Sequence, residues 1–164
     1  MIGFPGWWAV GEGGYPNVQK LLRNLFQPLL TYVNVLSWLP KPAVYEEHLS
    51  SGGGYLRFYR TGGAINRENK RDQPRVQCAA LTRSSDDSWE LIEFTRQILE
   101  TFGVEGGGIV PGTTQKLYCA GEVVGPQLIP ELVQDDRLVP VTFELHTWKP
   151  SGLPDYRQQL GLDI

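Results

Sequence analysis

Nineteen glycines and twelve prolines are gathered into punctuating clusters along these 164 residues, and they limit what the chain can fold into more than any other feature. Proline removes a backbone donor and is tolerated only at helix starts, turns and sheet edges. Glycine weakens the interior of any regular element by about 0.5–1 kcal/mol relative to alanine. Helices and strands must therefore be short and joined by long loops. The clusters follow no fixed period, so collagen-like and repeat architectures do not apply. Within these limits the chain has enough apolar material to fold: hydrophobic residues make up 41% and charged residues 20%, ordinary values for one globular domain.

The first 16 residues place Phe4, Trp7, Trp8 and Tyr15 among Gly and Pro, a composition for an aromatic arm that packs either on its own core or on a neighbouring subunit. A helix is predicted from Asn17, which can cap it, with Val18, Leu21, Leu22, Leu25, Phe26 and Leu29 at helical spacing and an end or kink near Phe26 to Gln27 enforced by Pro28. Thr31 to Ser37 is β-prone, and residues 41–53 read as a loop. Two alternating segments follow, Tyr55 to Thr61 and Arg75 to Thr82. They read as a hairpin with a long charged tip, with Leu56 and Phe58 facing one way and Tyr55, Arg57 and Tyr59 the other. Ser84 and Asp87 fit a capping box for a second helix, with Leu91, Ile92, Thr95, Ile98, Leu99 and Phe102 in a stripe and Gly103 as a left-handed stop.

Leu117 to Val124 can form a strand, and Pro126 and Pro130 bracket a turn region. In the last strand Val139, Val141, Phe143 and Leu145 alternate with Pro140, Thr142, Glu144 and His146 on the polar face. The expected fold is α+β, a small mixed, mainly antiparallel sheet with two helices packed on one face. Residues 1–16 form the arm, 17–148 the domain and 149–164 a C-terminal extension without its own core.

Chemistry is sparse. A net charge of −3 argues against a dedicated nucleic-acid binder. Cys78 and Cys119 lie in strand-like apolar contexts and read as buried free thiols. The N-terminal stretch lacks the positive region of a signal peptide, and no run reaches the roughly 18 apolar residues of a membrane span, so a soluble protein made in the cytoplasm is expected. His48, beside Glu46 and Glu47, reads as part of a solvated loop in preference to a metal site, and a Cys–His pair with His146 would be an accident of strand order. The glycine triplets 52–54 and 106–108 lack the Lys-Ser/Thr of a phosphate loop. No catalytic residue, cofactor or metal is expected. The candidates for subunit or partner contacts are Trp7, Trp8, Arg67, Glu68, Lys70 and Arg71.

Taken in order, several segments resemble the tail terminator proteins of siphophages. They are Tyr15-Pro-Asn-Val18 running into a Leu-rich helix, Leu56-Arg-Phe-Tyr-Arg-Thr-Gly-Gly63, and Arg75-Val-Gln-Cys-Ala-Ala-Leu-Thr-Arg-Ser84 leading into the second helix. Gly125-Pro126 and Val139-Pro-Val-Thr-Phe-Glu-Leu145 complete the set. The resemblance spans about residues 15–148 and departs at Asn17, where the family often carries an acidic residue. It implies a non-enzymatic virion protein that assembles as a homohexameric ring on the head-proximal end of the tail tube. Such a ring ends tube polymerisation, meets the tail tube protein and the head–tail connector or neck proteins, lets DNA pass without specific binding, and needs no membrane. The rival expectations are a head–tail adaptor or head-completion protein, a small enzyme around His48 or His146, and a monomeric binding module.

Overall fold

A computed structural model describes residues 2–8, 14–127, 136–150 and 155–162. Pro130 and the part of the expected turn region from residue 128 on, and Gly152 and Pro154 of the C-terminal extension, lie outside the described residues. Helix α1 (Val18–Phe26) starts where predicted, because the Asn17 side chain accepts from the backbone N–H groups of Gln19 and Lys20. Pro28 ends it by forcing a 3-10 turn over Gln27–Leu29. Strand β1 (Val33–Leu36) is shorter than the β-prone segment, since Tyr32 takes a left-handed φ of 61° that breaks the extended run.

The loop expected over 41–53 is instead helix α2 (Pro42–Ser50). Pro42 occupies its first turn, where a missing N–H costs nothing. The helix escaped the pattern reading because no side chain caps it and only Leu49 is buried, so it has no apolar stripe.

Strands β2 (Gly54–Asn66) and β3 (Arg71–Leu81) form the hairpin, and its charged tip is far shorter than expected. Pairing continues from Gly62↔Arg75 to Asn66↔Arg71, leaving only residues 67–70 outside the strands. The extension is possible because a bulge between Arg60 and Gly62 resets the register and Gly63 adopts a φ of 87°. A Cβ at Gly63 would lie 2.0 Å from the Gln73 carbonyl oxygen, so only glycine keeps the strands together there.

Helix α3 (Ser85–Glu100) is capped by Ser84, whose Oγ accepts from the Asp87 N–H at 3.1 Å. The other half of the capping box is not made: the Ser84 N–H turns to Thr82 Oγ1, and the Asp87 carboxylate pairs with Arg83. Gly103 is not a left-handed stop. The helix ends at a right-handed Thr101, and Gly103 is small because a Cβ there would sit 3.1 Å from the Glu100 carbonyl oxygen. Strands β4 (Gly108–Ile109), β5 (Lys116–Val124) and β6 (Leu138–Trp148) follow, with a short helix α4 (Tyr156–Gln159) in the C-terminal extension.

The sheet order is β1-β2-β3-β6-β5-β4, and every pairing is antiparallel except β1 with β2. This is the expected α+β fold. Helices α1 and α3 pack into one core with Leu56, Phe58, Cys78, Val141 and Leu145 from a single sheet face. The opposite face is covered near one end, where Leu49 of α2 meets Tyr55 and Leu81, so Tyr55 is buried and does not face water. Two helices on one face are therefore joined by a third on the other. His146 is also buried, on the strand side expected to be polar.

Candidate assembly interface

Among the described residues, the groups that could have carried catalysis or metal binding are dispersed by the fold. His48 projects from α2, its Nε2 3.2 Å from the Gly54 carbonyl oxygen and its ring edge-on to Tyr55. Glu46 turns away to an ion pair with Arg137 at 2.6 Å. No three His, Cys, Asp or Glu side chains among the described residues gather as metal ligands would. His146 lies 3.3 Å from Glu144 and against Tyr118, on the sheet face opposite the one that holds Cys78 and Cys119 with the helical core. Both cysteines are free, and burial pushes both thiols upward, Cys78 the further, which keeps them un-ionised and unreactive. No helix among the described residues is long and apolar enough to cross a membrane.

The hairpin tip is built to present charge. The Asn66 carboxamide oxygen accepts from the N–H groups of Glu68 and Asn69 at 3.0 and 3.2 Å, and Lys70 sits at a left-handed φ of 52°. With the turn fixed this way, Arg67, Glu68 and Lys70 are exposed. Arg71 is separated from them in role. It pairs in register with Trp148, and its guanidinium lies 4.7 Å over that indole, which also carries the Lys116 ammonium at 4.7 Å. The candidate residue at the base of the tip is thus half-buried, stacked on an aromatic ring at the end of β6.

The aromatic arm rests on its own chain. Trp8 packs on Phe4 with ring centroids 4.2 Å apart and lines a cleft of about 460 Å³ with the start of α1 and the turn at Thr113. Trp7 meets Tyr156 of α4 at 6.0 Å and still exposes part of its ring. No ring contact among the described residues joins the arm to the hairpin tip.

Two aromatic side chains not singled out from the sequence are more exposed than the rings of the arm. Trp38, between β1 and α2, is 75% exposed and stands edge-on to Tyr59 at 6.1 Å, and Tyr32 is 79% exposed at its strained φ. A tryptophan within Trp38-Leu-Pro-Lys-Pro, a stretch that can form neither helix nor central strand, was the available signal.

An α+β domain whose distinctive surface is made of exposed rings, a charged turn and a stacked Arg–Trp–Lys group is suited to contact with other proteins. A family model described as phage tail termination protein matches residues 14–154, and the chain belongs to that family. No individual curated protein sequence matches it. The protein is a structural component of a phage tail, and its contacts are with other virion proteins.

Proposed function

We propose that the protein assembles as a homohexameric ring on the head-proximal end of a long non-contractile tail tube. There it stops addition of tube subunits and offers its opposite rim to the neck proteins of the filled head. The single observation that supports this reading is the family match, which covers residues 14–154 and so takes in all three strands of the hairpin and last-strand region together with both core helices. A subunit with this role works by shape. It needs contact surfaces and a wall that does not hold DNA, and a net charge of −3 suits passage of a polyanion.

In this scheme residues 17–148 form the ring domain, with the arm (1–16) and the extension (149–164) as accessory contacts. Trp7, Trp8, Arg67, Glu68, Lys70 and Arg71 are the proposed contact residues. The exposed tip residues suit a partner directly, whereas Arg71 acts by holding the tip against Trp148. The test is a phage in which the protein is not made. Tubes of uncontrolled length lacking heads are expected in negative-stain images, with normal lengths restored by adding purified protein. Tubes of normal length that merely fail to join heads would overturn termination and point to a head–tail adaptor.

A further inference from the structure

Among the described residues, two stretches of sheet edge have no partner strand, while a third is closed with care. On the outer side of β1, the Gln27 side chain donates to the Val33 carbonyl at 3.0 Å and accepts from the Val35 N–H at 2.9 Å, imitating a further strand. Strand β1 covers β2 only from Gly54 to Arg57, and the Arg60 N–H is taken by Gln19 at 2.8 Å. From Thr61 to Asn66 no strand among the described residues pairs with the outer side of β2, and Ile65 is 52% exposed. Across the sheet, β4 covers only Lys116 and Leu117 of β5, and the Cys119 N–H donates to the Phe102 carbonyl. From Ala120 to Val124 no strand among the described residues pairs with β5, and Val123 and Val124 are 44% and 40% exposed. Proteins usually blunt such edges, because unpaired N–H and C=O groups are templates for another strand.

We infer that these two edges pair with each other between copies of this chain, the Thr61–Asn66 edge of one subunit adding to the Ala120–Val124 edge of the next. This rests on the ring reading above and names the contact that would close the ring. Strand direction permits it. Direction alternates through β2, β3, β6 and β5, so β5 of one copy and β2 of the next run antiparallel, and the sheet continues without a change of sense.

Charge selects it over pairing of like edges. Helix α1, which lies beside β2, carries Lys20 and Arg23 and no acidic residue. Helix α3 reaches β5 through the Arg96–Glu122 pair and carries Asp86, Asp87, Glu90, Glu93 and Glu100 against Arg96 alone. Both helices lie on the same sheet face, so a continued sheet sets the basic α1 of one copy beside the acidic α3 of its neighbour. Pairing β2 with β2, or β5 with β5, would set like charges together. Because the two edges differ, the contact is head-to-tail, the kind of contact that generates a ring when the rotation between subunits closes.

The test is disulfide trapping in assembled virions carrying Ile65→Cys together with Ala120→Cys, which an antiparallel pairing of Thr61–Asn66 with Ala120–Val124 sets opposite each other, the native cysteines being buried. Oxidation is expected to give a ladder of covalent oligomers from the double variant and none from either single variant. Covalent dimers from a single variant would show like-edge pairing and overturn the inference. A ring visible at the tail end with no ladder would overturn it while leaving the ring reading intact, and virions with no such ring would sink the ring reading itself. Should the double variant give no particles, wild-type protein decides by hydrogen exchange. Amides of residues 61–66 and 120–124 are expected to exchange at least tenfold more slowly in the purified ring than in dilute subunit, and unchanged exchange at both edges overturns the pairing.

Discussion

Arg60 and Asp72 face each other across the hairpin in a two-pronged ion pair, Nη1 to Oδ2 at 2.7 Å and Nη2 to Oδ1 at 2.9 Å, with the carboxylate buried and the guanidinium about one-third exposed. The same guanidinium donates to the carbonyls of Gly62 and Gly63, so it pins the bulge that lets the strands run on to the tip.

The two halves of this pair are not equivalent, and their substitution should show it. Arg60→Ala leaves a buried carboxylate without its cation and should lower stability by about 3 kcal/mol. Asp72→Ala leaves a guanidinium that still reaches water and two carbonyls, and should cost about half as much. Urea unfolding of the two variants measures the difference; equal losses would mean that burial of the carboxylate does not set the energetics.

Gln27 supports a second prediction, about edge protection. Gln27→Ala removes both of its bonds to β1, costing about 1–2 kcal/mol for two hydrogen bonds, and also bares the edge. Light scattering should then show concentration-dependent association that the parent lacks beyond the proposed ring. Gln27→Glu, which keeps the acceptor for Val35 but loses the donor to Val33, should fall between the two.

These two side chains also mark how far the sequence could be read. The α1 and α3 stripes, the Asn17 and Ser84 caps, the break at Pro28 and the alternation of β6 were legible, because each rests on local spacing or on a residue whose backbone preference is strong. Helix α2 was not, since one buried leucine gives no period. The length of the hairpin was hidden as well. Residues 62–72 look like a polar loop, and only the bulge, Gly63 and the Arg60–Asp72 pair, which joins residues far apart in sequence, turn them into strand. The burial of Tyr55 depends on α2 and was lost with it. Of the candidate site, the tip charges were readable as charges, but the placement of Arg71 on Trp148 needed the register of β3 with β6.

Cys78 gives a prediction with a definite sign in pH. Burial raises its thiol, with Arg57 and a Thr95 hydrogen bond opposing. In the unfolded chain the thiol ionises near its ordinary value of about 8.5, whereas the native state keeps the proton. The native form therefore holds more protons above that pH, and stability falls as pH rises, by at most about 1.4 kcal/mol per pH unit from this group. The contribution is fully present below the ordinary thiol value. Comparing denaturant midpoints between pH 8 and 10 for the parent and Cys78→Ala should show a shallower decline in the variant, although the cavity lowers its stability throughout. In the native protein at neutral pH, thiol reagents should label neither Cys78 nor Cys119 until denaturant is added.

Tyr32 carries the last prediction, where stability and assembly should part company. A bulky side chain at φ 61° costs about 1–2 kcal/mol relative to a right-handed conformation, and its ring, 79% exposed, makes no ring contact among the described residues that offsets this. Its carbonyl accepts from the Gly54 N–H at 2.9 Å, so the strained residue fixes where β2 begins beside β1. Glycine tolerates this conformation but adds freedom to the unfolded chain, so Tyr32→Gly should stabilise the subunit by a net gain of a few tenths to about 1 kcal/mol. If the ring is kept for contact with another virion protein, the same variant should assemble less well into tails despite its higher unfolding midpoint. Thermal unfolding and tail-incorporation assays on one preparation separate the two effects. A variant both more stable and equally well incorporated would show that the strain serves only the β1–β2 junction.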